Sequence, residues 1–232
     1  LPEIVWAMPR FGTFNVHAAL LPQYRGAAPI NWAVINGETK TGVTTFFLDH
    51  DIDTGRIIIQ KEFSIPDNAD VEYVYDGLMA LGADICIETV DAVINNDGNV
   101  PSQPQREDLP LKSAPKLYKE TGLINWNKEA KQVYDFVRGL SPVPGAWCEI
   151  VHNDEKPVVM KIFRTAKTDK PLTAKDQPGD ICTEGQHLLI AAADKWLEIV
   201  ELQLAGKKRM MAKDFLNGYD IKGKRVFLNF EF

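Results

Sequence analysis

The chain has 232 residues, 45% of them hydrophobic and 25% charged, a composition that excludes a disordered or fibrous protein and allows one large domain or two smaller ones. No apolar run approaches the ~20 residues that cross a bilayer, so a membrane role is unsupported. The net charge of −6 is uneven: residues 1–108 carry 6 Lys and Arg against 16 Asp and Glu, and residues 109–232 carry 20 against 16. A nucleic-acid contact confined to the second half would produce that asymmetry, and so would an uneven scatter of solvated charges.

The opening Leu-Pro-Glu-Ile-Val-Trp resembles neither a signal peptide nor a transit peptide. Residues 12–17 read as a short buried strand punctuated by Gly12, with Phe14 and Val16 supplying β-propensity. After an irregular stretch, Pro29 suits the first position of a helix that runs through Trp32 and Val34 and stops near Gly37. Residues 42–48 and 56–65 read as two further strands around the acidic loop Asp49-His50-Asp51-Ile52-Asp53-Thr54-Gly55. A long amphipathic helix starts at Asp70: Val71, Val74, Leu78, Leu81, Ile85, Thr89 and Val93 recur at steps of three and four, and Asn96-Asp97-Gly98 ends it.

Residues 99–122 hold Pro101, Pro104, Pro110 and Pro115 among polar residues, a linker signature. A helix over residues 127–140 follows, with Ala130, Val133, Val137 and Leu140 on one face. Short strands at 146–151, 158–164, 180–183, 188–193 and 196–204 suggest a small barrel or sandwich, with a short helix at 212–217. Cys86, Cys148 and Cys182 are far apart and show no CxxC spacing. They read as buried small hydrophobes in a reducing cytoplasm, not as a zinc knuckle or disulfide framework.

Chemistry concentrates in the first half. Asn15 and His17 stand at i and i+2 of a strand and so share a face, and Asp53 lies in the acidic loop at the end of the next strand. His17 belongs to the residue type best suited to pass a proton at physiological pH. Asp53 can orient it, hold it cationic or take a proton through a water. Asn15 offers an N–H to a developing oxyanion. No Ser or Cys is placed as a nucleophile, which favours direct transfer to an external amine. The residues alone leave the plainer readings open: a structural histidine, a turn at Asp53-Thr54-Gly55 and a loop-capping Asn15. Adjacent Asp49, His50, Asp51 and Asp53 cannot all converge on an ion without a special loop, so no metal is expected.

The run Asn15-Val16-His17-Ala18-Ala19-Leu20-Leu21-Pro22-Gln23-Tyr24-Arg25-Gly26-Ala27-Ala28-Pro29-Ile30 resembles the signature of folate-dependent formyltransferases, as do Asn36-Gly37-Glu38-Thr39-x-Thr41-Gly42-Val43-Thr44 and Ile52-Asp53-Thr54-Gly55. The resemblance implies that Asn15, His17 and Asp53 are catalytic. It also implies that 10-formyltetrahydrofolate is the co-substrate, contacted by Ala19, Leu20, Leu21 and Pro22. Ala19 stands where the family has Ser, which removes a hydroxyl contact and leaves backbone contacts possible.

Within the family, Arg25-Gly26-Ala27-Ala28-Pro29-Ile30 and the second half, from Ile124-Asn125-Trp126 to Pro144-Gly145-Ala146-Trp147, resemble the branch that formylates initiator Met-tRNA. An amino-sugar acceptor is the runner-up, and a non-catalytic RNA-binding module the alternative from another class. The implied fold is α/β: the C-terminal part of a Rossmann-like formyltransferase domain (1–105), a linker (106–122) and a small OB-like β-barrel that binds tRNA (123–232). Arg138, Lys207, Lys208, Arg209 and Lys213 are the candidate phosphate contacts. A cytoplasmic monomer is expected. The family's domain opens with βα units ahead of the strand carrying Asn15, so this polypeptide by itself is expected to be weakly active or inactive.

Overall fold

The computed structural model describes residues 2–106, 108, 110–151 and 156–228. The chain divides into two compact units, Leu1–Val34 with Glu38–Leu117, and Ile35–Gly37 with Tyr118–Phe232. The first 117 residues contain α1 (Glu3–Trp6), β1 (Phe14–His17), β2 (Arg25–Gly26), α2 (Pro29–Ile35), β3 (Lys40–Phe47), β4 (Ile57–Ser64), α3 (Val71–Asn95) and β5 (Ser113–Ala114).

Strands β1, β3 and β4 form an antiparallel sheet with β3 in the centre. Six consecutive β3 residues, Thr41 to Phe46, are buried, because both faces of the strand are covered and the usual in–out alternation disappears. Two adjacent threonines divide the work, since neighbouring residues of a strand point to opposite faces. On one face Thr45 Oγ1 lies 2.8 Å from Thr89 Oγ1 of α3, whose hydroxyl also lies 2.7 Å from the Ile85 carbonyl. On the other, Thr44 Oγ1 donates to the Ala19 carbonyl at 2.6 Å and accepts from Leu21 N–H at 3.2 Å. Both threonines are fully buried, and both hydroxyls are satisfied.

Of the expected stripe on α3, Val71, Val74, Leu78, Ile85 and Thr89 are buried, and Leu81 and Val93 are half-buried. The side chain of Asp70 caps its start, accepting from Tyr73 N–H at 3.0 Å. That bond satisfies one of the amides the first turn leaves orphaned.

The proline-rich stretch is extended, but up to Leu117 it belongs to the first unit instead of spanning between the two. Gln103 makes a two-way backbone bridge with Ile57, and β5 pairs in parallel with β2. Composition marks such a segment as lacking its own core. It does not show that the segment lies along another element's edge. Residues 107 and 109 of the expected linker lie outside the described residues.

The second unit contains α4 (Ala130–Leu140), β6 (Ala146–Val151), β7 (Val158–Pro171), β8 (Ile181–Glu184), β9 (His187–Ala191), β10 (Lys195–Leu204), β11 (Met210–Met211), α5 (Ala212–Gly218) and β12 (Arg225–Val226). Its sheet runs β12-β6-β7-β10-β9-β8, with β11 added to β10. Beside β8, Val226 N–H donates to the Gly179 carbonyl at 2.8 Å and Asp180 bridges Arg225, so the sheet nearly closes into a barrel. β7 continues to Pro171, beyond the expected end at 164, because its polar second half pairs with β10 across register shifts.

Helix α4 starts at Ala130, behind a capping box formed by Glu129 and Gln132. It buries Val133, Val137 and Leu140. Of the cysteines only Cys148 is fully buried, and burial pushes its thiol up to about 12. Cys86 and Cys182 are half-buried, which corrects the expectation that all three are interior.

Replacing the α3 cap by Asp70→Ala is expected to cost about 1 kcal/mol. Asp70→Asn, which keeps an acceptor, should lose much less. Urea unfolding of the two variants checks the difference.

Candidate active site

His17 closes β1 and is 6% exposed, opposite Thr44 and edge-on to the Phe46 ring. Its Nε2 lies 2.9 Å from the Tyr24 carbonyl. A carbonyl only accepts, so Nε2 carries a proton, and Nδ1 is the atom turned toward the acidic loop. Asp53 Oδ2 stands 3.7 Å from that Nδ1. The separation is within ion-pair range but too long for a direct hydrogen bond. The same carboxylate oxygen accepts from Gly26 N–H at 2.9 Å.

The backbone around this pair is under constraint. Tyr24 has φ 60° and Asp53 φ 59°. A non-glycine residue occupies that left-handed region at an energetic cost and needs its surroundings to hold it there. Tyr24 is held by its hydroxyl donating to Glu38 Oε1 at 2.6 Å and its N–H donating to the Lys112 carbonyl at 2.6 Å. Gly26, at φ +127°, leaves no alternative: a Cβ there would stand 2.5 Å from the Ala114 carbonyl oxygen.

Gln105 lies against the acidic loop. Its Nε2 donates to the carbonyls of Asp53 (2.7 Å) and Gly55 (2.9 Å), and its Oε1 accepts from Arg25 Nε (3.0 Å) and Nη2 (2.7 Å). Sequence reading missed Gln105, Tyr24, Gly26 and Arg25 as builders of the site. Their one sequence signal is that Tyr24, Arg25 and Gly26 fall inside the signature run.

Asn15 sits on the same strand, but its side chain is exposed, and its Oδ1 accepts from Val16 N–H at 2.9 Å. That leaves its Nδ2 without a hydrogen bond among the described residues. The structure therefore brings His17 and Asp53 together. It places Asn15 two residues before His17 on β1, open to solvent.

The loop Ala19-Leu20-Leu21-Pro22 packs down behind these residues. Ala19 is fully buried, and Leu21 joins Phe46 and Ile57 in a small apolar cluster. The carbonyls of Ala19, Leu20 and Leu21 are taken by Thr44 Oγ1, Gln23 N–H and Gln60 Nε2. The loop spends these backbone groups on its own shape. The half-buried Leu20 and Pro22 side chains are the surface it has left to present.

The five candidate phosphate contacts separate clearly. Lys207, Lys208 and Lys213 are exposed, the first two in the β10–β11 turn and the third on α5. None has a carboxylate within ion-pair distance among the described residues. Arg209 is exposed but lies over the Phe163 ring, with both nitrogens on Glu201 at 2.7 and 2.9 Å. Arg138 is a correction: it is 7% exposed, and its Nε donates to the buried Asp135 at 2.8 Å. A buried guanidinium spent on a buried carboxylate is not offered to a phosphate. Among the described residues no group of three His, Cys, Asp or Glu is arranged to hold a metal ion, and no helix is long and apolar enough to cross a membrane.

Two family profiles match the chain, "Formyl transferase" over residues 1–90 and "Formyl transferase, C-terminal domain" over residues 116–220. The methionyl-tRNA formyltransferase of Phocaeicola vulgatus is 54% identical over 224 residues, covering 94% of this chain and 68% of that protein. Its namesake from Bacteroides fragilis is 53% identical over 225 residues, covering 95% and 68%. Among solved structures, HypX from Aquifex aeolicus in complex with tetrahydrofolic acid superposes with a TM-score of 0.62 at 21% identity, covering 96% of this chain and 37% of that one. At that identity the likeness speaks for the fold.

Because Arg138 is structural, Arg138→Ala should destabilise the second unit by about 2 kcal/mol, through the loss of a buried charged hydrogen bond, while Lys131 still pairs with Asp135. The effect should appear in thermal unfolding without any RNA. A variant as stable as the parent would return Arg138 to the surface set.

Proposed function

The chain belongs to the formyl transferase family, and from that premise we propose that it moves a formyl group from 10-formyltetrahydrofolate to the amino group of initiator methionyl-tRNA in the cytoplasm. Its first unit matches the family's Rossmann-like transferase domain, and its second the family's C-terminal domain, with a sheet that nearly closes into a barrel. The domain limits we propose are those of the two compact units. The observation that carries the chemistry is the pairing of His17 with Asp53 across 3.7 Å in a nearly dry recess.

The methionyl amine attacks the formyl carbon, and the carbonyl oxygen gains negative charge as the new C–N bond forms. The open Nδ2 of Asn15 is a donor for that oxygen, and His17, when protonated on Nδ1, is a second. The amine must shed a proton before the folate nitrogen can leave with one. Asp53 stands where it can take that proton, directly or through a water, and return it. The gap between imidazole and carboxylate favours this relay over a permanent hydrogen bond between the two. On the same reading, Leu20 and Pro22 wall the folate, and Lys207, Lys208 and Lys213 meet phosphates of the tRNA.

An amino-sugar acceptor is the competing reading inside the family. Transfer assays with Met-tRNA and a UDP-amino-sugar side by side decide between them. Formylation of the sugar alone would sink the tRNA assignment. With enzyme in excess, His17→Ala and Asp53→Ala should each slow single-turnover transfer by ~10²-fold or more. Rates equal to the parent's would instead favour a non-catalytic module. Changing Lys207 and Lys208 together to Ala should weaken tRNA binding and flatten its salt dependence by about one unit of slope per lost contact. An unchanged slope would remove them from the interface.

A further inference from the structure

We propose that Gln105 is a positioning residue for the transfer reaction, acting through Asp53; this rests on the functional reading above. A side-chain amide has two N–H donors and one oxygen with two lone pairs. Gln105 uses all four positions: its donors reach the carbonyls of Asp53 and Gly55, and its oxygen receives Nε and Nη2 of Arg25. The amide orientation is determined by its partners. Turning it over would set N–H against the Arg25 donors and oxygen against two carbonyls.

Asp53 needs such a clamp. It sits at φ 59° in a five-residue stretch whose other acidic members, Asp49 and Asp51, are solvent-exposed. Its carboxylate has one hydrogen bond among the described residues, from Gly26 N–H. Gly26 follows Arg25 directly, so the two ends of the clamp are consecutive residues. Arg25 is tied to Gln105, Gln105 holds the Asp53 backbone, and the Asp53 carboxylate returns to Gly26. This closed circuit joins β2, the acidic loop and the extended stretch after α3. It holds the carboxylate 3.7 Å from His17 Nδ1. Without Gln105, the Asp53 backbone loses its tie to Arg25 and can relax from the left-handed region, carrying the carboxylate away from the imidazole.

Two variants dissect the clamp. Gln105→Met keeps the length of the side chain and removes every hydrogen bond. Gln105→Glu keeps the oxygen that Arg25 grips and removes both donors to the loop. In amide hydrogen exchange on the whole chain, both should speed exchange at Gly26 N–H by about tenfold or more. The Leu21 N–H, bonded to Thr44 and outside the circuit, serves as the internal control and should be unchanged. In single-turnover transfer, both should lower the maximal rate by about 10²-fold, the scale for misplacing a catalytic group by roughly an ångström. The dependence on folate and tRNA concentration should be little altered. In an Asp53→Ala background neither should cost anything further, because the residue acts through that carboxylate.

Unchanged Gly26 exchange overturns the proposal, as does a Gln105→Glu enzyme that keeps the parental rate, or full additivity with Asp53→Ala. Faster exchange at Gly26 and Leu21 alike also overturns it, as general loosening. An Asp53→Ala enzyme of parental rate overturns the functional reading, and the proposal with it.

Discussion

Everything proposed for the first unit depends on an imidazole and a carboxylate held 3.7 Å apart without touching. A direct hydrogen bond would tie each up with the other. A wider separation would let water stand between them and weaken their electrostatic contact. Neither group sets this distance by itself. His17 is anchored on its far side by the Tyr24 carbonyl, and Asp53 by the Gly26 amide. The gap is therefore defined by the backbone of residues 24–26. That backbone takes an uncommon path, through a left-handed tyrosine and a glycine for which any side chain would meet Ala114. The extended stretch after α3 supplies the edge against which that path is laid.

Beneath the site, the order comes from polar groups inside an otherwise apolar layer. Thr44 and Thr45 are neighbours on the buried central strand, and each serves a different face. One fastens the loop that follows His17, and the other fastens α3. A valine in either place would fill the same space while stranding partners: the Ala19 carbonyl and Leu21 amide on one side, and on the other the Ile59 amide, with Thr89 left only its bond to the Ile85 carbonyl. Unmade bonds of that kind cost more than the made bond contributes. The two hydroxyls thus specify where loop and helix sit.

The cations of the second half teach a different lesson. The surplus of 20 Lys and Arg over 16 Asp and Glu after residue 108 is a real property of the sequence, but a count does not separate spent charges from available ones. Arg138 is consumed inside the unit by Asp135, and Arg209 is occupied by Glu201 and Phe163. Lys207, Lys208 and Lys213 stay in solvent. Arginine's planar fork and weak hydration suit it to internal pairing, whereas the ammonium of lysine resists leaving water.

The sequence by itself determined the family, the alternation of elements, the buried stripes of α3 and α4, and the barrel strands. Periodicity, capping residues and a contiguous signature are local properties, written into neighbouring positions. His17 and Asp53 were legible for the same reason, each lying in its own short motif. Only the tertiary structure decided that residues 99–117 belong to the first unit, that Arg138 is interior, and that Gln105, in a stretch that reads as linker, reaches the carbonyls of Asp53 and Gly55. These are contacts between residues 3 to 89 positions apart. Whether a polar side chain faces water or a partner depends on what the fold brings against it, and composition records no such neighbour.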